Sequence, residues 1–301
     1  MAIEKFMKLA VGPLLFYWQK QEIIDFYLKI ESMPVEVVYL GEVVCANRHE
    51  MCLDDWLSLA KRLMDAGKEV ILSTQCLLES QADLNKVRKI VNNGFCLVEA
   101  NDHGAVMLLS EHQIPFVAGM HLNIYNASTL RYFKNLGCFR WVPPIEMEKA
   151  ALEKVLADKS TNMQTEVFAY GKMPLAFSAR CFTARHYGLN KDNCQFKCQQ
   201  YPDGLLLSTQ ENQAFLSING VQIQSAQSVN LISYLDDMKK TGVHILRLSP
   251  QYQRFDEIVR AFDQTRRGES ITMNWKDFNS SGHCDGYWLG KPGLQLTENL
   301  L

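Results

Sequence analysis

Short aliphatic and β-branched runs alternate along this chain with stretches of helical periodicity. Such runs suit buried parallel strands, and each helix between them supplies the crossover that a parallel neighbour requires. Eight strand–helix units are expected, and a parallel sheet of that size closes into a barrel. The expected strands are 9–15, 35–40, 70–73, 96–99, 116–119, 139–142, 166–170 and 243–248. The pattern predicts an α/β fold, namely a (β/α)8 TIM-like barrel.

The helices between these strands are marked by their ends. Three predicted helices are followed by Gly67, Gly94 and Gly137. A helix C-terminus favours glycine there, because the next residue adopts a left-handed conformation. The predicted helices are 21–30, 54–66, 78–92, 102–111, 128–135, 145–157 and 251–265.

The alternation is interrupted once, between the seventh and eighth strands. We interpret residues 171–229 as an insert with a cysteine-bearing loop followed by strands that turn at Asn219-Gly220, a strong hairpin signal. The segment 269–301 is rich in Gly, Ser and aromatic residues and is expected to form an irregular cap. Residues 1–301 are thus expected to form a single barrel domain with these two additions.

Composition narrows the functional classes. Hydrophobic residues make up 47% and charged residues 21% of the chain, and the formal net charge is -2. The near-neutral charge therefore argues against a protein that binds nucleic acid through bulk positive charge. No apolar run approaches the roughly 20 residues of a membrane span, and the N-terminal segment is interpreted as a first strand and not as a signal peptide. A cytoplasmic location is expected.

The nine cysteines are an odd number, which in a reducing compartment does not suggest a disulfide framework. Cys181, Cys194 and Cys198 lie in the insert with the spacing C-x12-C-x3-C. An x3 pair on one helical turn would be about 5–6 Å apart at Cβ, which suits two ligands of one centre. The best fourth candidate is Cys45, which follows the second strand at the face where barrels gather functional groups. Cys76 also follows a strand and stays open.

Thiolate ligands suit either zinc or an iron–sulfur cluster. Zinc sites usually carry two short cysteine pairs, so this spacing favours a cluster modestly. Buried core thiols are the third interpretation, because free cysteine is among the most buried residue types. Cys52, Cys96 and Cys138 are weaker candidates, since they open a helix or lie at the opposite rim.

Several polar residues have two interpretations. His121 and Asn123 follow the fifth strand, and they either bind a ligand or are polar loop groups that cap the next helix. Glu42 and Arg48 flank Cys45, as a site for an anionic substrate or as a solvated pair, the second being favoured slightly. The catalytic residues stay unknown.

Three further groups complete the polar candidates. Asp102 is either a helix cap or an acid, and Glu166 is expected to be structural. The cations beside Cys181 are Arg180, Arg185 and His186. They either stabilise a negatively charged cluster or are ordinary surface residues.

The motifs around the insert resemble those of the collagenase-like peptidase family. The stretch from Glu166 to Gly171 reads E-x-F-x-x-G, Ser178 to Cys181 reads S-x-x-C, and the tail contains GYW-x-G. A cysteine usual in the family near Pro174 is absent, and Cys45 is present instead.

The family resemblance, with this departure, implies a [4Fe–4S] cluster bound by Cys45, Cys181, Cys194 and Cys198. It implies a heterodimer with a UbiU-like protein in an oxygen-independent hydroxylase of anaerobic ubiquinone biosynthesis. A quinone precursor or a carboxylated oxygen donor would be the small-molecule partner.

The alternatives are a tRNA-modifying hydroxylase, a peptidase, and a non-catalytic partner subunit with zinc or a cluster. No Ser–His–Asp or HExxH pattern supports the peptidase.

Overall fold

The computed structural model describes residues 6–297, so the predictions for residues 1–5 and 298–301 lie outside the described part. The strands are β1 (Lys8–Val11), β2 (Val37–Leu40), β3 (Glu69–Ser73), β4 (Leu97–Ala100), β5 (Phe116–Ala118), β6 (Cys138–Trp141), β7 (Gln164–Phe177), β8 (Leu205–Ser208), β9 (Ala214–Asn219), β10 (Gln222–Asn230), β11 (Ile245–Leu248) and β12 (His283–Cys284).

Seven of the helices were predicted, and their ends differ from the prediction by at most four residues, while two short helices in and after the insert were not predicted. They are α1 (Lys20–Ile30), α2 (Leu53–Asp65), α3 (Gln81–Val91), α4 (His103–Glu111), α5 (Ala127–Asn135), α6 (Lys149–Leu156), α7 (Phe182–His186), α8 (Leu235–Thr241) and α9 (Phe255–Arg266). The amphipathic sequence of α2 explains its orientation, since Trp56, Leu59, Ala60 and Leu63 are buried on one face.

Eight parallel strands close into a barrel. Strands β1 to β7 pair in chain order, β7 pairs with β11, and β11 pairs with β1. The register that closes the ring aligns Lys8 with Ile245 and Ile245 with Glu166. The predicted (β/α)8 TIM-like barrel is confirmed.

Two strand lengths differ from the prediction for physical reasons. β1 ends at Val11 and not at residue 15, because Gly12 makes the last ladder hydrogen bond and Pro13 has no N–H to continue it. β7 continues past Tyr170 to Phe177, because its second half pairs antiparallel with β10. A short helix, α8, was not predicted and supplies the crossover from β7 to β11.

A small antiparallel sheet extends from the barrel at β7. β10 pairs with β7 and β9, and β9 pairs with β8. Asn219 and Gln222 face each other across the β9–β10 turn, where Gly220 has a φ of 67°. The predicted hairpin is therefore present, but its turn residues are Gly220 and Val221, one position later than predicted, because Asn219 still pairs with Gln222 as the last residue of β9. It brings the insert back over the carboxyl end of the barrel strands, next to the loop that follows β2.

Candidate functional site

The loop after β2 positions Cys45 through a carboxylate. Glu42 accepts hydrogen bonds from the backbone N–H groups of Val44 at 2.8 Å and Cys45 at 3.0 Å. Burial raises the pKa of Glu42, while Arg48 lowers it. These bonds hold the loop in one conformation and leave the Cys45 thiol buried at its edge.

Cys181 follows β7 and begins the next helix. Its thiol accepts a hydrogen bond from the Ala184 N–H at 3.3 Å and so caps α7. The Phe182 N–H donates to the Gly220 carbonyl at 2.9 Å, and the Thr183 hydroxyl accepts from the Gly220 N–H at 2.9 Å. The hairpin turn therefore fixes the position of Cys181.

Cys194 and Cys198 do not lie on one helical turn, so that part of the prediction was wrong. The chain reverses between them at Gln195 and Phe196, whose φ values are 49° and 50°. Non-glycine residues in this left-handed region cost on the order of 1–3 kcal/mol each. The reversal brings Cys198 into a buried position, close enough to Cys194 for the two thiols to interact electrostatically.

Three of the four predicted cysteines share one small apolar patch, and the fourth, Cys198, interacts electrostatically with two of them. Cys45 and Cys181 belong to a small apolar cluster separate from the barrel core, and Cys194 packs against it. Burial raises the pKa of Cys45 to about 11, with Cys181 among the neighbours that raise it further. Burial also raises the pKa of Cys198, and Cys181 and Cys194 add to that effect. Loops distant in sequence therefore bring these thiols together.

Arg48 is the cation of this patch and is not a solvated residue. It is only 6% exposed. One Nη atom donates to the Leu15 carbonyl at 2.8 Å, and the other donates to the Asn219 side-chain oxygen at 2.6 Å. Its charge lowers the pKa of both Cys45 and Cys198 against the effect of burial. The favoured interpretation of Glu42 and Arg48 as a solvated pair was wrong.

Cys76 packs against the same apolar cluster but in a different electrostatic setting. Burial raises the pKa of Cys76, and the carboxylates of Glu99, Glu42 and Asp102 raise it further. No cation is among these influences. Of the remaining cysteines, Cys52 caps α2, while Cys96, Cys138 and Cys284 lie in the main core.

The interior of the barrel contains buried charges that reach its mouth at Glu99 and Arg247. Arg247 contacts Glu99 at 2.7 Å and Glu166 at 2.6 Å, and Tyr39 donates to Glu166 at 2.5 Å. Glu166 is thus structural, as expected. The charged positions Glu99 and Arg247 were missed, although a charged residue within an otherwise apolar strand marks each of them.

The remaining polar candidates lie at the barrel mouth, at a turn or helix end, or at the surface. His121 lines the barrel mouth, where burial lowers its pKa to about 4. Asn123 is exposed and follows a 3-10 turn, and Asp102 caps α4 through a 2.6 Å bond from the Gly104 N–H. The cations beside Cys181 are all exposed: Arg180, Arg185 and His186.

Among residues 6–297, no three His, Cys, Asp or Glu side chains are arranged to hold a single metal ion. The four thiolates of a four-iron cluster each bind a separate iron, so they do not meet at one ion. No helix in the same range has the length and apolarity needed to cross a bilayer.

A family model described as Peptidase family U32 matches residues 29–277, which is most of the chain. This chain belongs to peptidase family U32. Its relatives include a collagenase of Porphyromonas gingivalis strain W83, 21% identical over 272 residues that cover 79% of this chain and 64% of the relative. Another is the tRNA hydroxylation protein P of Escherichia coli K12, 19% identical over 244 residues that cover 66% of this chain and 54% of the relative.

The chain therefore spans less than two thirds of the length of these two U32 relatives. Solved structures with a similar outline include a U32 peptidase at 8% identity, with a TM-score of 0.46 and coverage of 83% of this chain and 96% of that one. A type I 3-dehydroquinate dehydratase from Clostridium difficile gives a TM-score of 0.47 at 8% identity, with coverage of 88% and 94%. The barrel assignment rests on the strand pairing described above.

Proposed function

We propose that this U32 protein holds a [4Fe–4S] cluster through Cys45, Cys181, Cys194 and Cys198. In this proposal it is a UbiV-like subunit of an oxygen-independent hydroxylase in anaerobic ubiquinone biosynthesis, with a UbiU-like partner as heterodimer. The observation that carries the proposal is that Cys45, Cys181 and Cys194 share one small apolar cluster, while Cys198 has Cys181, Cys194 and the buried cation Arg48 as its charged neighbours.

The donor set has the chemistry that such a cluster requires. Thiolates are the usual ligands of iron–sulfur centres, and they bind in the deprotonated form. Arg48 favours that form at Cys45 and Cys198, because its charge offsets part of the rise in pKa that burial causes at both thiols. A bound cluster would supply an electron-transfer centre, which hydroxylation without O2 needs.

The surrounding residues would shield and orient the thiols. Val43, Val44 and Val221 form the apolar wall of the patch and exclude water from it. Glu42 fixes the Cys45 loop, and the hairpin turn at Gly220 fixes Cys181. We place the protein in the cytoplasm, where its nine free thiols stay reduced. A quinone precursor or a carboxylated oxygen donor would be the small-molecule ligand.

Hydroxylation of tRNA is a second candidate. Its support is the similarity to tRNA hydroxylation protein P, although this chain spans 54% of that protein. The net charge of -2 weighs against a nucleic-acid substrate, because binding to phosphates depends on clustered positive charge.

The test is complementation of a strain that lacks this protein, grown without oxygen. The Cys45→Ala variant is expected to lose anaerobic ubiquinone synthesis, while Cys76→Ala, its neighbour with a carboxylate environment, is expected to keep it. Full ubiquinone synthesis by Cys45→Ala would overturn the proposal. Lost tRNA hydroxylation with intact ubiquinone synthesis in the deletion strain would favour the second candidate.

A further inference from the structure

A cavity of about 310 Å³ lies on the flank of the barrel, between α2 and α3 and above the ends of β2 and β3. It borders the loop that carries Cys45 but contains none of the four cysteines. One wall is apolar and is formed by Met51, Trp56, Val87 and Ile90. A wall of this kind suits a ring or another compact apolar group.

Two buried polar atoms in the lining have no hydrogen-bond partner. These are Nε of Arg48, a donor, and Oε1 of Gln75, an acceptor. The two residues are only 6% and 8% exposed. A buried polar group without a partner costs about 1–3 kcal/mol, so a ligand or a water molecule is expected to complete each of these atoms. A ligand that completes both atoms carries an acceptor for Arg48 Nε and a donor for Gln75 Oε1.

The charges around the cavity are mainly positive. Arg48, Lys86 and Lys89 line it, and Glu42 is the only carboxylate among the lining residues. Glu42 lies 3.5 Å from Arg48 and offsets part of one charge. Lys86 donates to the Ala46 carbonyl at 2.9 Å, which holds its ammonium group near the loop, and it lies 3.8 Å from the Asp83 carboxylate, which offsets part of its charge. This balance favours an anionic ligand.

We infer that this cavity is a binding site for a small organic acid with an apolar, ring-sized body and a hydroxyl or amine donor. The acid group lies at Arg48, the donor reaches Gln75, and the body packs against Trp56. Binding here does not require the cluster. Only the further consequence, that Arg48 couples this ligand to Cys45 and Cys198, rests on the proposed function.

The test uses the purified full chain and two probes of the same shape. Binding of 3-(4-hydroxyphenyl)propionate is compared with that of the uncharged 3-(4-hydroxyphenyl)propanamide by ligand-observed NMR titration. The acid is expected to bind about tenfold more tightly than the amide, because only the acid pairs with Arg48. Equal binding of both probes, or no binding of the acid, would overturn the inference.

Variants locate the site. Gln75→Met keeps the size of the side chain but removes the acceptor for the donor group, and it is expected to weaken both probes about fivefold. If Gln75→Met does not fold, the exposed Lys89→Met serves, with an expected weakening of the acid of about threefold. The exposed Lys154→Met on α6 is the matched control and should change nothing. Unchanged binding in both lining variants would contradict the site.

The Cys45→Ala chain separates this inference from the proposed function. It is expected to bind the acid normally while containing no cluster. A chain that holds the cluster but binds neither probe would refute the cavity site alone.

Discussion

The guanidinium group of Arg48 donates a 2.6 Å hydrogen bond to the side-chain oxygen of Asn219. Arg48 belongs to the loop after β2, and Asn219 ends β9 in the insert. Both side chains also donate to the same carbonyl, that of Leu15, at 2.8 Å. This bond therefore joins the Cys45 loop to the hairpin that positions Cys181.

Asn219→Ala is expected to destabilise the protein by about 2 kcal/mol, because it leaves one Nη of Arg48 buried without that partner. Urea denaturation measures the change. Asn274→Ala is the control, since that amide bonds only to Asp277 at the surface. A loss no larger than that of the control would mean that the bond does not hold the two loops together.

The buried pair of Glu166 and Arg247 gives a second prediction. Both side chains are at most 3% exposed. Glu166→Gln is expected to cost about 3 kcal/mol, because it leaves a buried guanidinium with less compensation. Glu257→Gln breaks an exposed pair with Arg254 and should change the free energy of unfolding by no more than about 0.5 kcal/mol. Similar effects of the two variants would show that burial adds nothing to the Glu166 pair.

Acid should weaken the fold through His283. Burial lowers the pKa of His283 to about 4, below the value of about 6.5 for an unfolded chain. The unfolded state therefore takes up the proton first as the pH falls below 6.5, and stability is lost until about pH 4. Between pH 7 and pH 5 the loss is on the order of 1–2 kcal/mol.

Denaturation curves of His283→Gln measure this contribution. The pH 7 to pH 5 difference should shrink by most of that amount, whereas the exposed His103→Gln should leave it unchanged. An unaltered pH dependence in His283→Gln would refute the assignment.

The reversal between Cys194 and Cys198 gives a stability prediction for the metal-free chain. Gln195 is exposed and has a φ of 49°. Gln195→Gly should stabilise the chain by about 1 kcal/mol, because glycine adopts positive φ without steric cost. Asp192→Gly, in the preceding 3-10 turn, is the control and should not stabilise. No gain in thermal stability for Gln195→Gly would argue against strain at this turn.

The barrel was predictable because each of its strands and helices has a signal in the local sequence. Runs such as Val37–Leu40 are apolar throughout, and glycines such as Gly67 mark the helix ends. The hairpin was also predictable from Asn219-Gly220, since glycine favours such turns, but its register was one residue off because Gly220 takes the first turn position. The length of β7 was not visible, because it depends on pairing with β10, more than 40 residues later.

For the candidate site, the sequence predicted which residues are candidate ligands but not the geometry in which they lie. The spacing of the cysteines suggested the set, but the left-handed Gln195 and Phe196 carry no sequence signal, so the geometry of the C-x3-C pair was wrong. The burial of Arg48 also has no local signal. It follows from the Leu15 carbonyl and Asn219, which lie 33 and 171 residues away in the chain.

The central claim is tested most directly by counting iron and acid-labile sulfide in the protein purified without oxygen. The proposal predicts about four of each per chain, lost in Cys45→Ala and kept in Cys76→Ala. One zinc per chain, no metal, or a Cys45→Ala variant that retains its iron and sulfide would contradict it.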